Sequence, residues 1–395
     1  MVFCVPGLVE VESQVGGVLQ DAPARLRYYA AMAATKIKQR LLTPGPTAVP
    51  PTVLEEMAQP IIHHRTKQFR AIFAELSERL QRVFCTQQPV LTISGSGTTA
   101  FEASQISLIT LGSKALTISA GKFSERWQDI YDAYGVKQVR IDVPWGSAVD
   151  PAQVQQALSD NPDISIVTLV HSETSTATAC DAKAIAAVVQ ATDALLIVDG
   201  ITSVGALPVE MDAWGIDVLV TGSQKAMMLP PGLGYVALGE RAQQRLDSVK
   251  PAGYYNLDLR KWLKSWHDND VPFTPPVSLI RGQRVALELI ESEGLQNVHA
   301  RTRKLAQMTR AAFKDMGLKL ISDSPSDSVS GAYYPEGVDD SAFRGTLRDK
   351  HGIHIAGGQN GRGAKWQGKI FRISHMGYVD EQDTVAALQA IKAEL

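Results

Sequence analysis

Seven short strand-like runs, most of them apolar and most separated by a helical stretch, constrain this chain more than any other feature. They are Val90–Ile93, Ala115–Ser119, Gln138–Val143, Ile164–Val170, Leu195–Asp199, Asp217–Thr221 and Gly234–Leu238. Helical stretches such as Gly97–Ile109, Phe123–Tyr134, Pro151–Ser159 and Ala182–Ala191 lie between most of them. Ahead of them, Lys67–Phe84 repeats apolar residues at Phe69, Ile72, Phe73, Leu76, Leu80 and Val83, which is a helical period. Runs that are apolar on both sides need cover on both sides. Alternation with helices therefore predicts an α/β fold around a largely parallel sheet. In such sheets ligands gather beyond the carboxyl ends of the strands, so the residues that close each run are the first candidates for function.

The pattern changes after about residue 290. Arg301–Met316 reads as a helix, Leu318–Ile321, Ile353–Ala356 and Lys369–Ile373 as short strands, and Asp380–Leu395 as a terminal amphipathic helix. We expect a large domain over residues 36–290 and a smaller α+β domain over 291–395. Residues 1–35 differ from both: an apolar start is broken by Glu10, Glu12 and Asp21, with no basic segment before it. That argues against a secretory signal. A disordered extension, or a true start at Met32, is the expectation for this segment.

Composition removes several function classes. The 395 residues carry a net charge of −2, so there is no electrostatic footprint for nucleic acid or an anionic membrane. No apolar run approaches the roughly 20 residues that span a bilayer. Cys4, Cys85 and Cys180 are dispersed and form neither a disulfide framework nor a metal motif. The same usage suits a reducing, cytoplasmic compartment.

Two strand ends carry the strongest chemical signal. Lys225 closes Gly222-Ser223-Gln224-Lys225, just past the run that ends at Thr221. A lysine buried there sheds its charge, because desolvation favours the neutral amine, and a neutral amine can condense with an aldehyde. One run earlier, Asp199 ends Leu195–Asp199. A Schiff-base lysine together with an aspartate for a ring nitrogen is the pair that pyridoxal phosphate sites require.

Four other segments support this with less specificity. Ser94-Gly95-Ser96-Gly97-Thr98 follows a run and opens a helix, which suits either a phosphate cradle or an ordinary capped turn. His171-Ser172-Glu173-Thr174-Ser175-Thr176 places short hydroxyls at another strand end, where His171 packs or caps. Phe123 either stacks on a flat ligand or fills the core. Arg372, in Phe371-Arg372-Ile373, needs an anion if buried: a substrate carboxylate or a structural partner.

In this order the segments resemble the class V pyridoxal-phosphate-dependent aminotransferases, most closely the alanine/serine–glyoxylate group. The resemblance covers residues 40–395 and includes Thr43-Pro44-Gly45-Pro46-Thr47, Pro230-Pro231-Gly232 and Thr274-Pro275-Pro276. It implies the fold type I architecture of pyridoxal-phosphate enzymes and a homodimer with shared sites. It also implies roles. Lys225 would be the Schiff-base lysine and proton carrier, and Asp199 the ring-nitrogen partner. Ser96, Gly97, Thr98 and Gln224 would hold the phosphate, Phe123 would stack on the ring and Thr174 would bond near its hydroxyl. Thr274 would reach the partner subunit's cofactor. Arg372, with backbone near Gly45, would bind the substrate carboxylate. Substrates would be a small amino acid (serine or alanine) and a small 2-oxo acid (glyoxylate or pyruvate), and no metal is expected.

Phe123 stands where the glyoxylate enzymes often carry tryptophan, and Val271 where a phosphate-touching tyrosine is common. Cysteine desulfuration, a second chemistry of this fold, needs a nucleophilic cysteine late in the chain, and none follows Cys180. Cyanobacterial relatives labelled as the small subunit of a soluble hydrogenase give the competing reading, an accessory protein. Nickel–iron chemistry needs clustered thiolates, which three dispersed cysteines do not supply.

Overall fold

A computed structural model of the chain describes residues 37–110, 112–249 and 253–395; the expected extension at 1–35 lies outside the described residues. The apolar runs become seven strands: β1 (Val90–Ser94), β2 (Lys114–Ser119), β3 (Lys137–Asp142), β4 (Ile164–Val170), β5 (Leu195–Asp199), β6 (Val218–Gly222) and β7 (Leu233–Leu238). They form one sheet in the order β1-β7-β6-β5-β4-β2-β3. The β2-β3, β2-β4, β4-β5 and β5-β6 pairs are parallel, and β7 runs antiparallel to both its neighbours. Every residue of β5, β6 and β7 is buried, which is why those runs are apolar without alternation. β3 is one edge, and its Lys, Gln, Arg and Asp side chains keep it partly exposed and unattractive to a further strand.

Helices cover the sheet. α1 (Lys67–Phe84) buries Phe69, Phe73, Leu76 and Leu80. Thr66 caps it, its hydroxyl accepting from Phe69 N–H at 3.2 Å. α2 (Gly97–Leu108) follows β1, and α3 (Lys122–Ala133) follows β2. α4 (Val277–Glu293) adds Val277, Ile280, Leu287 and Ile290 to the same core.

The C-terminal third builds a second core. β8 (Val329–Tyr333), β9 (Ala356–Gly357) and β10 (Ile370–Ser374) form an antiparallel sheet with β10 in the middle. It packs on α5 (Leu295–Asp315), α6 (Asp340–His351) and α7 (Glu381–Glu394) through Leu305, Phe313, Phe343, Leu347, Phe371 and Ile391. Phe371 meets Phe313 edge-on at 5.3 Å between ring centres; burying such a ring contributes about 1.5–3 kcal/mol. Its neighbour Arg372 points to the other face of β10, as the two-residue strand period dictates. Arg40–Leu41 pairs with Ile353–His354, and Leu42 joins this second core. The chain then crosses to the large sheet, where Thr47 donates its hydroxyl to the Lys225 carbonyl at 2.7 Å.

The parallel sheet follows the sequence reading to within one or two residues at each strand end. The C-terminal third departs from it. Leu318–Ile321, expected as a strand, contributes only a single bridge, Leu320 to Ala332. The missing strand is β8, whose Val-Ser-Gly-Ala-Tyr is too weakly apolar to stand out. The helix expected at Arg301 begins at Leu295, and Ile353–Ala356 divides between two sheets.

Candidate active site

β6 ends at Gly222, and the following turn is locked before it reaches the lysine. Ser223 Oγ donates to the Pro230 carbonyl at 2.8 Å and accepts from Leu233 N–H at 3.2 Å. Lys225 Nζ then donates to the Pro44 carbonyl at 2.6 Å. Gly45 passes so close, at φ +135°, that a Cβ there would overlap the lysine amine. Only glycine allows both that backbone conformation and that approach. Burial lowers the Lys225 amine to about 8; the Asp199 charge opposes the shift, and Arg372 and Arg126 add to it.

Asp199 ends β5, the strand beside β6. Its Oδ1 accepts from Ile201 N–H at 2.9 Å and its Oδ2 from Trp127 Nε1 at 3.2 Å. Burial raises its carboxyl to about 7 against the pull of those two bonds. A protonated ring nitrogen set against it would return it to the carboxylate form, because an adjacent cation favours the charged acid.

Lys225 and Asp199 face a cavity of about 160 Å³. One end is the N-terminus of α2, where Ser96, Gly97 and Thr98 line the wall. The unpaired N–H groups of a first helical turn, together with the helix dipole, make an anion site. Gln224 lines the same end, and its buried Oε1 has no hydrogen-bond partner. Phe123 provides an aromatic wall. Buried Glu173 holds the α3 start that carries it, accepting Phe123 N–H at 3.1 Å and Ser124 N–H at 2.9 Å. The cavity thus offers an amine, a carboxylate for a ring nitrogen, an aromatic platform and an anion cradle with the Gln224 amide, whose Nε2 can donate, beside it. That set fits pyridoxal phosphate.

Arg372 and Gly45 do not face this cavity directly. Arg372 lies behind Thr174, whose carbonyl accepts Nη1 at 2.8 Å, while the Gly357 carbonyl accepts Nε at 3.1 Å and Nη2 at 2.6 Å. Burial lowers its guanidinium to about 10, with the Glu173 charge opposing. Neutral carbonyls hold this cation, and among the described residues no carboxylate lies within ion-pair distance of it. Thr174 lines the cavity wall; Thr274 is exposed and is not brought to the cavity of its own chain. His171 packs edge-on against Trp214 at 6.1 Å, and burial lowers it to about 4, so it is a neutral packing residue.

Two residues at this site had no place in the sequence reading: Trp127, which bonds Asp199, and Arg126, which lines the cavity. Their spacing carries only part of the signal. Both stand three or four residues after Phe123 on one helix, and so share its face.

The comparisons with known proteins agree with this geometry. The model of the family "Aminotransferase class-V" matches residues 40–388. A relative from Synechococcus sp., named soluble hydrogenase, small subunit, is 38% identical over 363 residues, covering 91% of this chain and 93% of its own. The serine–glyoxylate aminotransferase of Hyphomicrobium methylovorum is 35% identical over 371 residues, 91% of this chain and 90% of its own. The crystal structure of an alanine–glyoxylate aminotransferase from Nostoc sp. superposes with a TM-score of 0.85 at 30% identity, covering 91% of this chain and 96% of that one. Among the described residues no group of three His, Cys, Asp or Glu side chains could hold a metal ion. The sheet, the strand-end lysine and aspartate, and a family match spanning nearly all the described residues lead to one conclusion: this chain belongs to the class-V aminotransferases, enzymes of the fold type I class that work with pyridoxal phosphate.

Proposed function

We propose that this enzyme moves the amino group of a small amino acid, serine or alanine, to a small 2-oxo acid, glyoxylate or pyruvate. The observation that carries this reading is Arg372: a buried guanidinium held only by carbonyls, close enough to Lys225 for its charge to lower the amine. Such a group binds a carboxylate through two parallel N–H bonds. Arg126, the other guanidinium near the cavity, is tied to Thr98 at the anion cradle. That leaves one arginine for substrate, which suits monocarboxylates better than dicarboxylates.

Bound pyridoxal phosphate supplies the aldehyde that accepts the amino group and the ring that stores the electron pair. The chain does the rest. Arg372 fixes the carboxylate and so orients the bond to the α-hydrogen. Lys225, neutral for much of its time near pH 8, takes the proton from the α-carbon and delivers it to the cofactor side. Asp199 holds the ring-nitrogen proton, and Trp127 and Ile201 keep its carboxylate aimed. Ser96, Gly97, Thr98 and Gln224 hold the phosphate, Phe123 supports the ring, and Thr174 bonds near the ring hydroxyl. Thr274, exposed on its own subunit, reaches the partner subunit's phosphate in a homodimer.

The test is the purified, cofactor-loaded enzyme mixed with L-serine or L-alanine, then with glyoxylate or pyruvate. The visible absorbance should fall with the amino acid and return with the oxo acid. A larger kcat/KM for L-aspartate than for either small donor would overturn the substrate assignment. Absorbance indifferent to all three would remove small amino acids altogether.

A further inference from the structure

The anion cradle described above consists of neutral donors: the α2 N-terminus, the Ser96 and Thr98 hydroxyls and the Gln224 amide. A phosphate monoester carries about −1.5 to −2 charge at neutral pH. Two cations face the cavity among the described residues, Lys225 and Arg126. Lys225 must give up its charge to work as an amine, so it cannot balance the phosphate. Arg372 does not line the cavity and is held by the Thr174 and Gly357 carbonyls.

Arg126 is placed for the task. It sits one helical turn after Phe123 on α3, and its Nη1 donates to Thr98 Oγ1 at 3.1 Å. That hydroxyl belongs to the first turn of α2, within the cradle itself. The guanidinium also lies 5.3 Å from the centre of the Phe123 ring. Among the described residues no carboxylate lies within ion-pair distance of it. An arginine on a cavity wall, with one bond to a neutral hydroxyl and its other donors unspent, is a free anion-binding fork.

We propose that Arg126 is a further cofactor-binding residue, the cationic member of the phosphate site. It pairs with the phosphate of pyridoxal phosphate beside Thr98 and balances the charge that the neutral cradle leaves. The proposal rests on the cofactor assignment and not on the identity of the substrates. The contact with Phe123 supplies the rival role, in which Arg126 merely props the aromatic wall.

Titrating the cofactor-free protein with two ligands separates these roles: pyridoxal phosphate, and pyridoxal, which has the same ring and aldehyde without the phosphate. Binding is read from tryptophan fluorescence and visible absorbance. Arg126→Gln should raise the dissociation constant for pyridoxal phosphate about tenfold or more and change that for pyridoxal, which senses Arg126 only through the Lys225 and Asp199 charges, far less. Arg126→Lys should recover part of the loss, since it restores a charge without the fork. Inorganic phosphate should compete with pyridoxal phosphate more weakly in Arg126→Gln than in the parent. Thermal unfolding of the cofactor-free forms checks that the variants fold, and Arg126→Lys keeps the test available if the glutamine form does not. Unchanged affinity for pyridoxal phosphate would overturn the proposal. So would equal losses for both ligands, which would assign Arg126 to propping Phe123. A parent protein that binds neither ligand would defeat the cofactor assignment instead.

Discussion

The carboxyl edge of the large sheet and the middle strand of the small one treat buried charge in opposite ways. Lys225 and Asp199 stand at the ends of β6 and β5, where burial pushes the amine down to about 8 and the carboxyl up to about 7. Both are brought to the range where a proton is easily held or released near neutral pH. Arg372 is as deeply buried in β10, yet a guanidinium at about 10 remains a cation there, surrounded by carbonyl dipoles. Groups that must move protons are placed where desolvation works on an acid or an amine. On the proposed mechanism the group that binds the substrate's charge is a guanidinium, which burial does not neutralise.

Removing the amine tests the first region most severely. Lys225→Ala should lower the rate of the amino-donor half-reaction by at least about a thousandfold, since covalent attachment and proton transfer are lost together. Its far-ultraviolet circular dichroism should match the parent's. Turnover at the parental rate would separate Lys225 from the chemistry and dissolve the comparison.

Arg372→Ala should act first on the second region, although it also removes one of the charges that lower the Lys225 amine. Loss of a bidentate, charge-assisted grip corresponds to about a 10–100-fold rise in the KM for the amino donor, while the bound cofactor keeps its visible absorbance. The variant also leaves the Thr174 and Gly357 carbonyls without their donor, which costs about 1–3 kcal/mol of stability. Arg372→Lys should recover little, because an ammonium cannot reproduce the fork. An unchanged KM would place the substrate carboxylate elsewhere.

The lysine's titration sharpens the contrast. In the cofactor-free protein only the neutral Lys225 amine attacks an aldehyde. The rate of pyridoxal uptake should therefore rise about tenfold per pH unit below 8 and level above it. A rate that keeps climbing past pH 9 would show a lysine in its ordinary state, and burial would then not be the cause of its reactivity.

The two regions also differ in how legible they were in the sequence. The parallel sheet was open to reading because strands covered on both faces must be apolar throughout, and a polar residue that closes such a run stands out. Lys225 and Asp199 were singled out that way, and both line one cavity. β10 was found because Phe371 and Ile373 flank Arg372, but its neighbour β8 was not, since Ser330 and Gly331 interrupt its apolar pattern. Glycine fits there because a Cβ would run into the Ile321 side chain of the segment just before it. Trp127 escaped for a related reason: on α3 it reads as a core residue, which it is. Its bond to Asp199 depends on how α3 lies across the sheet, and local sequence does not encode that angle. Arg126 was hidden among ordinary surface charges of the same helix.

The smallest effect is the most discriminating, because its sign changes with the cofactor. In the cofactor-free protein the Asp199 carboxyl sits near 7, against an ordinary value of 3.8. A raised carboxyl keeps its proton in the folded state where the unfolded chain has lost it. Its contribution to stability is therefore complete below about 4 and is lost as pH rises through 7. Above that pH the protein holds a buried carboxylate with no cation at ion-pair distance among the described residues, Arg126 offsetting only part of its burial. Asp199→Asn removes that cost; its amide oxygen can still accept from Ile201 N–H, while the bond from Trp127 is forfeited, worth about 1 kcal/mol. The cofactor-free variant should melt about 2–4 °C higher than the parent at pH 8.5, and the difference should shrink toward pH 5. With pyridoxal phosphate bound, the ring-nitrogen cation turns the same carboxylate into an asset, so the loaded variant should melt lower than the loaded parent. Melting curves at both pH values, with and without cofactor, give four comparisons. A variant less stable than the parent in the cofactor-free form at pH 8.5 would mean that Asp199 is not strained by burial, and that the large-sheet edge does not tune its charges in the way that sets it apart from β10.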